Sequence, residues 1–312
     1  MMKYQEFICT VERKMNLILK GGAKASLYTA AKNNGTSRTG IMIEVPGINI
    51  SPTIYLEEFY ERLENGESVD AVVQDVYNFY EKIKYDRSWD VSAVERYEAI
   101  RGKIVFKLIH TKKNEGLLKE VPHREFLDLS IVYYALLQVD KEKTGTATLL
   151  VKNEHMKLWG VSEDELYRDA ADNVRILLPA RLITMSHSVE SCLCGDSEKF
   201  ENILDTGETA EEDIMFVLSN QPGYFGAACI AYPGVADMIG NVLGGNYYVL
   251  PSSVHETVLV LCDKGMEPWI MDEMVQDINR EHVAEEEILS DHCYIYDVEN
   301  KRLEMRQYVR LE

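Results

Sequence analysis

The chain has 312 residues, 46% hydrophobic and 27% charged, which suits a globular protein with a sizeable core in one or two domains. Its 33 Lys and Arg stand against 52 Asp and Glu, and a net charge of −19 disfavours sequence-independent binding to a phosphate backbone, which needs clustered cations. No stretch approaches the roughly 18 apolar residues of a membrane span. The cysteines, Cys9, Cys192, Cys194, Cys229, Cys262 and Cys293, are scattered along the chain, so no disulfide framework is expected.

The N-terminal MMKYQEFICTVERKMNLILK lacks the continuous apolar core of a secretory signal, because Glu6, Glu12, Arg13 and Lys14 interrupt it. It reads as an amphipathic helix with Phe7, Val11, Met15 and Ile18 on one face. A cytoplasmic location with reduced thiols is the expectation. KASLYTAA and TGIMIEV flank the turn-rich KNNGTSR and predict a β-hairpin. In SPTIYLEEFYERLENG, Ser51 suits a helix cap, Pro52 the first turn and Gly66 the stop, with Leu56, Phe59, Tyr60 and Leu63 as the apolar stripe. Ser68 caps a second helix, whose Val69, Val72, Val73, Val76, Tyr80 and Ile83 share a face, so the pair is expected to pack as a helical hairpin.

From Arg101 the pattern changes. GKIVFKLIH reads as a strand, and FLDLSIVYYALLQV as another, rich in β-branched and aromatic residues and followed by TGTATLLV across DKEKTG. Asn153 caps the short EHMKLWG, and Ser162 with Glu165 forms a capping box ahead of LYRDAADNVRILL. The polar SVESCLCGDSEKFENILDTGETAEED is expected to be an exposed loop. Beyond it, IMFVLS and GAACIAY predict a hairpin around NQPGYF, and a helix runs from Pro233 to Leu243, ended by Gly244 and Gly245. YYVL and ETVLVL pair across a Pro-Ser-Ser turn. A helix from Pro268 carries Ile270, Met274 and Ile278, and CYIYDVENKRLEMRQYV closes the chain as a hairpin. The expected fold is α+β, with largely antiparallel sheets built from hairpins, helices packed on one face, and β-β-α-β-β-α-β-β order in the C-terminal half. The expected regions are 1–115, with the helical hairpin, and 116–312.

Two clusters carry candidate chemistry. In YYVLPSSVHETVL, Ser253 and His255 are two apart and share a face of an extended segment, while Glu256 points to the other. Ser252 or Ser253 with His255 is therefore a candidate nucleophile and base, whose orienting acid must come from elsewhere. No G-x-S-x-G elbow is present, and Ser and Pro already have a turn-forming reason to be there. As a surface instead of a catalytic centre, the candidates are Pro251 and Glu256 here and Tyr224 and Phe225 in QPGYFG. In HSVESCLCGD, Cys192 and Cys194, with His187 and Asp196 nearby, offer zinc ligands or a reactive thiol, but C-x-C is not the C-x-x-C spacing of a zinc knuckle. Phosphate-loop and H-E-x-x-H patterns are absent, and no cofactor or metal is expected.

IMIEVPGINISPTIYLEEFY, NEHMKLWGVSEDELYRDAADN, FGAACIAYPG and YYVLPSSVHETVLV resemble, in order and over most of the chain, the blocks of an uncharacterised family of Firmicutes proteins, the domain of unknown function 5688 (DUF5688). The N-E-H…W-G-V-S-E-D-E-L and P-G…G-G-N-Y-Y-V-L-P-S-S-V-H-E blocks are also similar to a second uncharacterised bacterial family, typified by YtpQ. The resemblance implies a soluble bacterial protein and brings no catalytic residues with it. Strong fold signals without a complete catalytic motif point to a non-catalytic binding or regulatory module. Its partner would be a protein or a small molecule, with neither nucleic acid nor membrane involved. The competing expectations are a hydrolase-like enzyme using Ser252 or Ser253 with His255, and a metal or thiol site at Cys192 and Cys194.

Overall fold

The computed structural model describes residues 2–85, 88, 92–139, 146–194, 200–207, 213–262 and 267–305. They form two compact units, one from the described parts of Met1–Val94 and Val139–Thr146, the other from Glu95–Gln138 and the described part of Ala147–Glu312.

In the first unit, α1 (Tyr4–Ile18) precedes the antiparallel hairpin of β1 (Lys24–Ala31) and β2 (Ser37–Glu44). A third strand, β3 (Thr53–Tyr55), joins β2, and α2 (Glu57–Glu64) and α3 (Val69–Ile83) follow. Phe7, Val11 and Met15 of α1 and Val72, Val76 and Tyr80 of α3 pack with Ala25, Ile41, Ile43 and Ile54 of the sheet. Ser68 caps α3 as expected, accepting the Ala71 N–H at 3.2 Å. The preceding helix starts later than its sequence suggests. Thr53–Tyr55 adds to the edge of β2, where Gly40 lies opposite Tyr55, and the helix begins at Glu57 instead of after Ser51. A Cβ at Gly40 would lie 2.6 Å from Thr53 Cγ2 and 2.8 Å from the Ile54 carbonyl oxygen, so glycine is what admits the third strand.

The short α4 (Ser92–Glu95) spans the division between the units, and α5 (Tyr97–Ile100) is the first helix wholly within the second. β4 (Ile104–His110), α6 (Glu115–Leu118), β5 (His123–Phe126), β6 (Leu129–Val139) and β7 (Thr146–Leu150) come next, in a sheet of order β4-β6-β5 with β7 also on β6. β4 pairs along its whole length with β6, within the second unit. The run expected as one strand, FLDLSIVYYALLQV, is folded back at Leu127-Asp128, so that Phe126 faces Leu129. DKEKTG and the first residues of TGTATLLV, up to residue 145, lie outside the described residues.

After α7 (Asn153–Trp159), α8 (Glu163–Leu177) begins at the predicted Ser162–Glu165 capping box and lies on the sheet, with Tyr167 stacked on Phe106 of β4. The cap position of α7 is Lys152, one residue before Asn153, whose side chain binds the Lys119 carbonyl instead. Where an exposed loop was expected, α9 (Met185–Cys194) and α10 (Ile203–Thr206) form, and the preceding β8 (Ala180–Thr184) is a strand.

The remaining elements are β9 (Met215–Asn220), α11 (Val235–Leu243), β10 (Tyr247–Leu250), β11 (Thr257–Leu261), α12 (Pro268–His282), β12 (Tyr294–Asp297) and β13 (Arg302–Met305). They complete an antiparallel sheet of order β13-β12-β10-β11-β9-β8. The α+β class is thus observed. GAACIAY is the exception to the expected order: residues Gly226–Ala231 are a buried 3-10 helix, not the partner strand of β9. On one side of the sheet Tyr248, Leu250, Val260 and Ile295 cluster with Met271 and Val275 of α12. Tyr247 points the other way, and its hydroxyl donates to the Ala236 carbonyl of α11 at 2.9 Å, so helices cover the second face as well. α12 is rotated by one residue from the predicted stripe, burying Met271, Val275 and Asn279 instead of Ile270, Met274 and Ile278. Among the described residues, no helix is long and apolar enough to cross a membrane.

Candidate functional site

The Pro-Ser-Ser segment between β10 and β11 is not a free hairpin tip. Its backbone is bound to the segment ahead of β12. Ser290 N–H donates to the Pro251 carbonyl at 3.1 Å, Leu289 N–H to Ser252 at 3.2 Å and Val254 N–H to Glu287 at 3.0 Å, with Ser253 bridged to Ile288. Ser252 and Pro251 are buried in consequence. Ser253 Oγ accepts the backbone N–H of His255 at 3.1 Å, whereas the His255 ring turns Nε2 to Glu287 Oε1 at 3.3 Å. The carboxylate that reaches His255 is therefore Glu287, from a distant part of the sequence. Glu256 is exposed on its own side.

The other sequence candidates are dispersed. Tyr224 closes a loop on the buried Asn220, its N–H donating to Asn220 Oδ1 at 3.1 Å. Phe225 stacks on Tyr134 at 5.5 Å between ring centroids, and Lys107 Nζ lies 4.8 Å from the Tyr134 ring and 5.2 Å from the Phe225 ring. Phe225 is half-buried at these contacts. His187 stacks on Phe200 at 4.1 Å. Cys192 and Cys194 are exposed on α9, where positions two apart diverge by about 200° around the axis. Asp196 lies outside the described residues, and among the described residues no group of three or more His, Cys, Asp and Glu side chains could hold a metal ion.

What the fold does bring together is a different set of side chains. An open cleft of about 600 Å³, a size that suits a small ligand, is lined by His110, Thr111, Lys112, Glu115, Glu125, Leu127, Asp128, Asp291, His292 and Met305. β4 delivers His110 at its last position, held by the buried Asn114, whose Nδ2 donates to the His110 carbonyl at 2.8 Å. The two-residue β5–β6 turn delivers Leu127 and Asp128. Leu127 has φ +58°, a left-handed conformation that such turns normally assign to Gly or Asn, and it is 39% exposed. An apolar side chain held in that conformation carries a local strain cost.

The opposite wall is the loop Ser290-Asp291-His292, and each of its residues is fixed. Ser290, fully buried, donates from Oγ to Asp128 Oδ2 at 2.7 Å and accepts the His292 N–H at 3.0 Å. Asp128 also receives the hydroxyl of the buried Tyr294. Asn279 of α12 donates from Nδ2 both to the Ser290 carbonyl and to Asp291 Oδ1, at 2.9 Å each. His292 Nδ1 lies 3.5 Å from Asp272 Oδ2, and Asp272 Oδ1 accepts the Cys293 N–H at 2.7 Å. Burial is the main effect on the His110 imidazole and lowers its pKa, so the ring is neutral at pH 7. Its Nδ1 accepts the Lys113 N–H at 3.4 Å, which assigns the ring proton to Nε2.

None of the cleft residues was picked out from sequence. They come from four separate segments, and the only local signal was the position of His110 at the end of a predicted strand.

The family profile described as a family of unknown function, DUF5688, matches residues 4–298, nearly the whole chain. The chain belongs to the DUF5688 family. No curated protein and no solved structure matches it. Within this DUF5688 protein, the backbone of the YYVLPSSVHETVL block is hydrogen-bonded at Pro251 and Ser252 to the segment that leads into the Ser290–His292 wall.

Proposed function

We propose that this DUF5688 protein binds a small cationic molecule, an amine or guanidine on a short aliphatic chain, in the cleft between the β5–β6 turn and the Ser290–His292 loop. The observation that carries the reading is the fixed loop: Ser290, Asp291 and His292 are each pinned by a side chain from elsewhere, yet the loop presents Asp291 and His292 to open space. Pre-organisation of this kind lowers the cost of binding. Glu115, Glu125, Asp128 and Asp291 line the cleft against one lysine, Lys112, which favours a cation. Leu127 and Met305 supply apolar surface for methylene groups.

The test is isothermal titration with putrescine, agmatine and spermidine, and with succinate as an anionic control. The cations should bind and succinate should not. Asp291→Asn and Glu125→Gln should each weaken binding about fivefold, the loss of one partly exposed ionic contact. Absence of binding by all three cations, or binding that neither substitution alters, overturns the reading.

A further inference from the structure

We propose that the same cleft is catalytic, with His292 as a general base and His110 as a hydrogen-bond donor, hydrolysing an ester or amide of a cationic substrate. The proposal rests on the binding reading above and adds a reaction to it.

The two histidines that line the cleft are held in complementary roles. His292 turns Nδ1 to Asp272, 3.5 Å away, and that carboxylate is only 17% exposed and fixed by the Cys293 amide. A carboxylate at Nδ1 favours the tautomer with its proton there, which leaves the Nε2 lone pair as the basic atom of a half-exposed ring. His110 is the reverse case, because its Nδ1 accepts a backbone N–H and its Nε2 carries the proton. One ring can therefore take a proton and the other can donate a hydrogen bond, the pair of functions that water addition to a carbonyl requires. Asp272 acts through His292 and is a positioning residue.

The step balances without a further reagent. His292 Nε2 takes a proton from water as the water oxygen bonds to the carbonyl carbon. The carbonyl π pair moves to oxygen, where the His110 Nε2–H meets the developing charge. When the tetrahedral intermediate collapses, the bond to the leaving oxygen or nitrogen breaks and that atom takes the proton from His292. One water is consumed, and an acid and an alcohol or amine are released. The carboxylates of Glu125 and Asp291 place the substrate's cationic end and take no part in bond making.

A merely structural role is the alternative, in which His292 and Asp272 only fasten the loop to α12. Hydrolysis of the p-nitroanilides and methyl esters of lysine and arginine, followed beside agmatine binding and thermal unfolding, separates the two. The expected result is turnover by the wild type and a fall of about a hundredfold or more in kcat for His292→Gln, with Tm retained. Asp272→Asn should lower kcat with KM nearly unchanged and should alter the pH profile of kcat. Long-range 1H–15N NMR of the imidazoles supplies a readout independent of substrate: His292 protonated at Nδ1 and His110 at Nε2. No wild-type turnover of any of the four substrates, turnover that survives His292→Gln, or the reverse tautomer at His292 each overturns the proposal. Agmatine binding without turnover sinks the catalytic inference alone, whereas loss of both sinks the binding reading too.

Discussion

Asp128 sits on a two-residue turn, yet it ties that turn to a segment more than 160 residues away, through the hydroxyls of Ser290 and Tyr294. Both donors are fully buried, so an acceptor removed here leaves them without compensation. Asp128→Asn should destabilise the protein by about 2 kcal/mol, since hydrogen bonds to a charged group each contribute roughly 1.5–3 kcal/mol, and urea unfolding measures this directly. Unchanged stability would mean that the hydroxyls find other partners. His110 makes a second prediction at this scale. Burial lowers its pKa in the folded protein, and it does the same to His155. Above about pH 6.5, the ordinary imidazole value, both rings are neutral whether the chain is folded or not, and their contribution is fully present. Below that pH the unfolded chain takes up protons that the native rings resist, so stability falls with pH until the lowered native pKa values are reached. Unfolding free energy should therefore be smaller at pH 5 than at pH 7, and His110→Gln should flatten that slope. A slope that His110→Gln leaves intact would assign it to other groups.

At the level of elements, capping and periodicity were legible where a helix met one partner surface. The Ser68 and Ser162 caps appear where their sequence patterns put them, because a cap depends on residues within one turn. Ambiguity entered where a short apolar run had two possible uses. Thr53–Tyr55 is β-branched and aromatic and sits beside an open sheet edge, so it pairs before the helix can begin. GAACIAY has the hydrophobicity of a strand, but β9 already pairs with β8 and β11, leaving no edge for it. It coils instead over β9 as a 3-10 helix, with Gly226 pressed against that strand and the loop before β11. A Cβ on Gly226 would lie 2.0 Å from Ser219 Oγ and 2.3 Å from the His255 carbonyl oxygen. Gly226→Ala should therefore cost about 3 kcal/mol or more, as overpacking against backbone does, measured as a drop in the chemical-denaturation midpoint. A near-neutral Gly226→Ala would show that the 3-10 helix can lift away from β9.

Across the whole molecule, the net charge of −19 has a bearing on the cleft. A cation approaching a carboxylate-lined opening on an acidic protein gains from the summed field, and salt screens that gain as the Debye length shrinks from about 10 Å at 0.1 M to about 3 Å at 1 M. Binding of spermidine should weaken by about fivefold or more between 0.05 M and 0.5 M NaCl, a range over which this screening deepens, as read by titration. Salt-independent binding would make apolar contact with Leu127 and Met305 the main source of affinity.

The division between sequence and tertiary structure follows from the reach of each interaction. Period-2 and period-3.6 patterns, caps and glycine stops act within one or two turns, and by themselves they determined the α+β class, the β1–β2 and β12–β13 hairpins and the start of α8. They also marked YYVLPSSVHETVL as a turn between two strands, which it is. Only the tertiary structure decided that this turn is buried against residues 287–290, that Glu287 reaches His255, and that His110, Asp128, Asp291 and His292 share one cleft. Those side chains are brought together by strand pairing and by hydrogen bonds between residues up to 166 positions apart. No local pattern encodes a contact at that separation, and so the site became visible only once the sheets had paired.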